Sequence, residues 1–315
     1  MVAKELIKIE IRKHWSQLLV LVLLIGMLPP IQLWIHYLAM KDHVMHGYEV
    51  DIGTLDIAFI LNVLVITLAI VQIGIERSNG TMEFNLSLPF SKGSIFISKW
   101  FVGTWSILLS WGFAFSLSAI IVQLIDMPVI NLNEYFGFLL GSLLMFYSLT
   151  FSAGAITGTP SAQGLVTFTI SILPLLVFAL LTAQIQIFFM RNFQLSDVIL
   201  EGIFQINPLS YISFRFGGFP IKELYIPFIL AGLFLMIGFY SFQRHPFERN
   251  GSFFVWRWME RPVQIIVIFL GILGFSTFGY LSTTQENLLG YFIGAAIGAL
   301  IGLVISYLLI YKKRK

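Results

Sequence analysis

Cysteine is absent from this 315-residue sequence. Disulfide frameworks, thiolate metal centres, iron–sulfur clusters and cysteine nucleophiles are thereby excluded together. Charge is scarce as well: 11% of residues are Asp, Glu, Lys or Arg, against about 25% in soluble domains, so a water-soluble fold fails at once. No lysine is followed by Ser or Thr, none of the five histidines opens an H-E-x-x-H run, and no G-x-S-x-G elbow occurs. A P-loop, a zinc-hydrolase helix and a serine nucleophile elbow are therefore not encoded. An enzyme is not expected from such a chain, and any ATP it uses must be bound by another one.

What is present is apolar. Hydrophobic residues make up 57% of the chain and aromatic residues 16%, with mean hydropathy +0.87. They fall in blocks long enough to cross the ~30 Å hydrocarbon core of a bilayer, which takes about 20 helical residues. Eight spans are expected, near Ser16–Ala39, Thr54–Ile75, Trp100–Ile125, Tyr135–Ile156, Ala162–Ile187, Leu224–Phe242, Val263–Leu281 and Leu288–Tyr311. The first holds Pro29-Pro30 and is followed by no small-residue cleavage site, which reads as a kinked permanent span rather than a signal peptide. The fold class is thus an all-α polytopic membrane protein of about eight transmembrane helices.

Lysine and arginine orient it. With both termini cytoplasmic, the inner segments hold Lys4, Lys8, Arg12 and Lys13; Arg77, Lys92 and Lys99; Arg244, Arg249, Arg257 and Arg261; and Lys312 to Lys315. Only Lys41, Arg191, Arg215 and Lys222 are left outside, the asymmetry of the positive-inside rule. Because the cations flank apolar blocks, the net charge of +3 reads as topology, and a nucleic-acid partner is not expected. The spans carry almost no ionisable side chains; His36 and Asp56 sit near outer ends. A proton- or sodium-coupled carrier would need a midplane carboxylate or a broken helix pair, which disfavours that class.

Three segments outside the spans stand out. Val2–His14 mixes Leu6, Ile7, Ile9 and Ile11 with Lys4, Glu5, Lys8, Glu10, Arg12 and Lys13, the pattern of an interfacial amphipathic helix leading into the first span. Phe188–Glu223 is too apolar for a solvated loop and too interrupted to cross, so short helices dipping into the outer leaflet are expected. Arg244–Arg261, with the aromatic run Phe253–Trp258, reads as a second cytoplasmic contact or an interfacial helix. In the last span Gly290, Gly294, Gly298 and Gly302 recur every fourth residue, a smooth row that suits either helix packing inside the chain or a dimer face.

The stretch between the second and third spans is the most informative. Ser78-Asn79-Gly80 is a turn, Glu83 suits the first turn of a short helix, Met82, Leu86 and Phe90 fall toward one side of it, and Pro89 ends it. Ser91 can cap a second helix running through Ile95 and Phe96 into the third span. A short helix presenting Phe84 and Leu88 beneath the membrane suits a partner groove or plain interfacial packing. The order Glu76, Arg77, Gly80, Thr81, Glu83, Leu86, Ser87, Pro89, Lys92 and Lys99 resembles the first cytoplasmic loop of ABC-2 type ABC transporter permeases, E-R-x-x-G-T-x-E-x-x-L-S-x-P followed by a basic residue and a lysine at the next span. Asn207-Pro208-Leu209-Ser210-Tyr211 resembles the turn in that family's outer loop.

The resemblance covers roughly residues 1–242, an amphipathic elbow helix plus six spans; residues 243–315 add a cytoplasmic segment and two further spans, making an eight-span bacterial variant. It implies a multi-pass subunit of the bacterial plasma membrane. That subunit would pair with a second permease copy or a paralogue and with cytoplasmic ABC ATPase subunits. ATP and Mg would sit on the ATPases, with no cofactor, metal or catalytic residue in this chain. Residues 76–89 would then be the coupling helix, with Glu76, Arg77 and Glu83 as polar contacts, Phe84 and Leu88 as the apolar anchor, Gly80, Thr81 and Pro89 setting its shape. Export of a hydrophobic or amphipathic compound (a peptide antibiotic, drug or lipid-like molecule) is the expected activity; an ion-coupled secondary carrier or a membrane assembly factor is the alternative.

Overall fold

The computed structural model describes residues 2–44, 49–82, 87, 89–125, 128–189, 196–214, 223–244, 251–282 and 288–311. Eight of its helices are long and apolar enough to cross a membrane. In chain order the helices are α1 (Val2–Val44), α2 (Ala58–Ser78), α3 (Lys92–Ile125), α4 (Leu132–Ile156), α5 (Pro160–Phe188), the short α6 (Asp197–Ile206), α7 (Ile226–Gln243), α8 (Arg257–Leu281) and α9 (Leu288–Tyr311). All eight expected spans are present.

Helix α1 carries the amphipathic segment and the first span together. His14 alone departs from helical geometry (φ −108°, ψ 16°), which marks a kink; Pro29 and Pro30 lie within continuous helix. The expected proline kink is therefore replaced by one at His14. α3 begins at Lys92, well before the apolar block, because Ser91 caps it: its hydroxyl accepts from the Ser94 amide at 3.1 Å.

The chain forms two compact units. One comprises residues 1–155 and 208–245, the other 156–207 and 246–315. α5 and α6 belong to the second unit, with the last two helices. In the first unit α4 is the most enclosed helix, with 83% of its apolar window buried. It has no charge after Glu134, and it meets its neighbours through small polar groups, which join helices in a medium without water. Trp100 Nε1 donates to Ser148 Oγ at 3.1 Å and Trp111 Nε1 to the Phe136 carbonyl at 2.8 Å. Ser142 Oγ donates to the Tyr211 carbonyl at 2.6 Å, and Asn62 Nδ2 donates to Ser142 Oγ at 2.7 Å. A two-residue parallel pair, β1 (Val50–Asp51) and β2 (Val129–Ile130), joins the loops after α1 and α3.

In the second unit α8 and α9 pack along the glycine row. A Cβ built on Gly298 would strike the Gly271 carbonyl, one on Gly294 the Phe275 carbonyl, and one on Gly279 the Gly290 carbonyl; one on Gly302 would lie 2.8 Å from Ile268 Cα. Backbone thus touches backbone, and the row from Gly290 to Gly302 is turned toward α8. Gln184 of α5 adds a polar tie: its Nε2 donates to Thr277 Oγ1 at 2.9 Å, and its Oε1 accepts from Tyr291 OH at 2.7 Å. The aromatic run before α8 is extended, not helical. Phe254 bridges Thr157 antiparallel, and Val255 N donates to the Ile156 carbonyl at 3.1 Å. The outer stretch contains α6 and a 3-10 turn, Pro208–Ile212.

Candidate coupling site

The segment singled out by its residue order begins where α2 ends. Residues Ile70–Ile75 wind as a π-helix. Such a turn is wider than an α-helical one and shifts every side chain after it around the axis. Gln72, Glu76 and Arg77 are all buried as a result. Gln72 accepts from the Tyr147 hydroxyl at 2.7 Å. Tyr147 itself lies where any Cβ on Gly103 would be, so α3 and α4 close over this point only because residue 103 is glycine.

Glu76 is the centre of an ionic cluster drawn from three helices. Lys99 Nζ of α3 donates to Glu76 Oε1 and Oε2, both at 2.8 Å, and to Glu10 Oε2 of α1 at 2.7 Å. His14 Nε2 lies 2.6 Å from Glu76 Oε1 and 3.4 Å from Glu10 Oε1, and His14 Nδ1 lies 2.6 Å from Gln17 Oε1. Both ring nitrogens thus face side-chain oxygens. Lys13 Nζ adds a rim contact to Glu76 Oε1 at 3.0 Å. Glu10, His14, Glu76 and Lys99 are each at most 4% exposed. Around the kink at His14 one helix sends Lys13 and His14 to the Glu76 carboxylate and Glu10 to the Lys99 ammonium that shares it.

The sequence pattern missed this. Ile9 and Ile11 of the amphipathic segment are exposed, and the buried row is Leu6, Glu10 and His14. The i, i+4 spacing of Glu10 and His14 in line with Leu6 was the available signal. Glu10, His14 and Glu76 also place three ligand atoms within 4.8 Å of one another, as a metal site would. The Lys99 ammonium, within 2.8 Å of both carboxylates, already supplies the cation there.

Arg77 points the other way round the helix, and its Nη1 donates to the Gly154 carbonyl near the end of α4 at 2.8 Å. The turn follows directly. Gly80 has φ +71° and donates its N–H to the Arg77 carbonyl at 3.2 Å; nothing lies near its missing Cβ, so the demand for glycine is conformational rather than steric. Thr81 Oγ1 donates to the Glu76 carbonyl at 3.0 Å, and Met82 is buried. Glu83, Phe84 and Leu88 lie outside the described residues. Ser87 and Pro89 are exposed. Of the expected coupling residues, then, Glu76 and Arg77 are turned into the chain, and Gly80, Thr81 and Pro89 shape the exposed turn beyond them.

No known family model matches the chain. Two curated proteins of Bacillus subtilis (strain 168) do. One, the probable ABC transporter permease YtrD, is 36% identical over 253 residues, covering 79% of this chain and 77% of its own length. The other, the probable ABC transporter permease YtrC, is 39% identical over 259 residues, covering 79% and 78%. The chain belongs to the ABC transporter permeases.

The cluster is a buried joint between α1, α2 and α3. A buried carboxylate–ammonium set holds only if every charge is paired; removing one partner strands the others at a cost of about 3–5 kcal/mol. The short charge-assisted bonds of Lys99 meet that condition for both glutamates. The base of the segment at Glu76–Arg77 is therefore tied to α1, α3 and α4 together.

Proposed function

We propose that this permease exports a hydrophobic or amphipathic compound, with ATP and Mg held by separate cytoplasmic ATPase subunits and with residues 76–89 as the coupling element. The single observation that supports this is the cluster at Glu76. A force applied at Gly80 and Thr81 passes through Glu76 and Lys99 to α1 and α3, and through Arg77 to α4. In this reading Phe84 and Leu88 seat in a groove of the ATPase, Glu83 supplies a polar contact, and Glu76 and Arg77 transmit rather than touch. The bacterial plasma membrane and a second permease copy or paralogue complete the assembly.

The test is purification together with the products of neighbouring genes, followed by an ATPase assay on the native chain and on Glu83→Ala/Phe84→Ala. A hydrolysing subunit that co-purifies with the native chain and is reduced at least about tenfold with the variant is the expected outcome. Co-purification unaffected by the double substitution would remove residues 83 and 84 from the interface. A chain that binds no nucleotide-hydrolysing protein would favour the carrier reading.

A further inference from the structure

The cytoplasmic end of α1 carries five basic side chains over residues 4–14 when His14 is counted with Lys4, Lys8, Arg12 and Lys13, and they have two different fates. His14 and Lys13 are engaged by Glu76. Lys4, Lys8 and Arg12 are exposed, and among the described residues none of them forms an ion pair. They recur every fourth residue, so they form one row along the helix. With Ile7, Ile11 and Trp15 they line a shallow open groove.

The neighbouring row explains what that groove faces. Every fourth residue from Ile11 onward, through Trp15, Leu19 and Leu23 to Ile31 and Ile35, is a large apolar side chain that is at least 37% exposed. A helix that leaves such a row uncovered over its spanning length is presenting it to acyl chains. The same row runs past the kink at His14 into the amphipathic segment, where Lys4, Lys8 and Arg12 flank it. Apolar side chains beside unpaired lysine and arginine at the inner end of a span lie at headgroup depth, where the aliphatic stems pack on lipid and the charged ends reach phosphate. Trp15, 61% exposed at the junction, suits the same boundary.

We propose that Lys4, Lys8 and Arg12, with Ile11 and Trp15, form a binding row for anionic phospholipid headgroups of the inner leaflet. Because the row lies on the same helix as Glu10, Lys13 and His14, which join Glu76, an occupied row would fix the helix that the coupling segment is tied to. The lipid site itself rests only on the chain being a membrane protein, so it stands or falls apart from export and from the ATPase.

The experiment uses the purified full-length chain in a mild detergent, with dioleoyl phosphatidylglycerol and dioleoyl phosphatidylcholine counted as bound lipids by native mass spectrometry. Each basic residue near an anionic surface contributes about 1 kcal/mol, so a preference for phosphatidylglycerol between about tenfold and a hundredfold is expected at low salt. It should shrink toward unity near 0.5 M salt, by screening. In Lys4→Gln/Lys8→Gln/Arg12→Gln it should fall below about threefold, with the melting temperature in phosphatidylcholine unchanged. Glu5→Lys, beside the row, should raise it by about fivefold or more. The charge-matched control Lys312→Gln/Lys313→Gln/Arg314→Gln should leave it intact. An equal preference in the native chain and the first triple variant would overturn the proposal, as would equal loss in the control, which would make net charge the cause. Retained lipid preference with release of a co-purifying soluble protein would make the row a protein interface instead.

Discussion

Two seams in this protein hold helices together by opposite means. In the first unit α1, α2 and α3 meet at a knot of charge, Glu10, His14, Glu76 and Lys99. In the second unit α8 and α9 meet along glycine, backbone on backbone, with no charge at all. Both solve the same difficulty: between helices surrounded by hydrocarbon, the hydrophobic effect gives no reason to associate, so packing and polar satisfaction must do it. The glycine seam gains contact by removing side chains and is insensitive to ionic conditions. The ionic knot gains strong short bonds, but each member depends on all the others. A glycine seam is suited to permanence, and an ionic knot to a joint that must transmit or rearrange.

The comparison can be broken most severely at Lys99. Lys99→Ala should cost about 3–5 kcal/mol, because two buried carboxylates lose their cation, measured by chemical unfolding in detergent. Adding Glu10→Gln and Glu76→Gln to Lys99→Met should recover more than half of that loss; no recovery would show that packing, not charge pairing, sets the value. Gly298→Val should come next, at about 1–3 kcal/mol, since the branched side chain meets the Gly271 carbonyl and the helices must part. Its effect should not depend on salt. Gln184→Leu removes the bonds to Thr277 and Tyr291 and should cost about 0.6–1.7 kcal/mol. Lys13→Gln is the mildest, below about 1 kcal/mol and vanishing at high salt, because Lys13 stands at the rim of the knot. A Lys13 effect as large as that of Lys99 would erase the distinction between rim and centre.

How far the sequence led differs between these seams. The row Gly290, Gly294, Gly298 and Gly302 announced close helix packing by spacing alone, although whether its partner was α8 or another chain was open. Spans, turn and cap were equally legible: Ser91 and Gly80 act where composition placed them. The knot was not legible as a unit. Glu76 and Lys99 were visible through residue order, whereas Glu10 and His14 were legible only as part of an interfacial amphipathic helix. Nothing in that pattern said that these two would be buried against Glu76 and Lys99.

By itself the sequence determined that this is an eight-span membrane protein, because apolar run length is a one-dimensional quantity. It also determined the family, through residues 76–99 and the likeness to curated permeases. Only the tertiary structure decided which charges are buried. The π-turn at Ile70–Ile75 and the kink at His14 rotate side chains by amounts that no periodicity encodes, and those rotations bring Glu10, His14, Glu76 and Lys99, up to 89 residues apart, to one point. Whether a carboxylate faces water or a lysine is a property of that rotation, not of its neighbours in the chain.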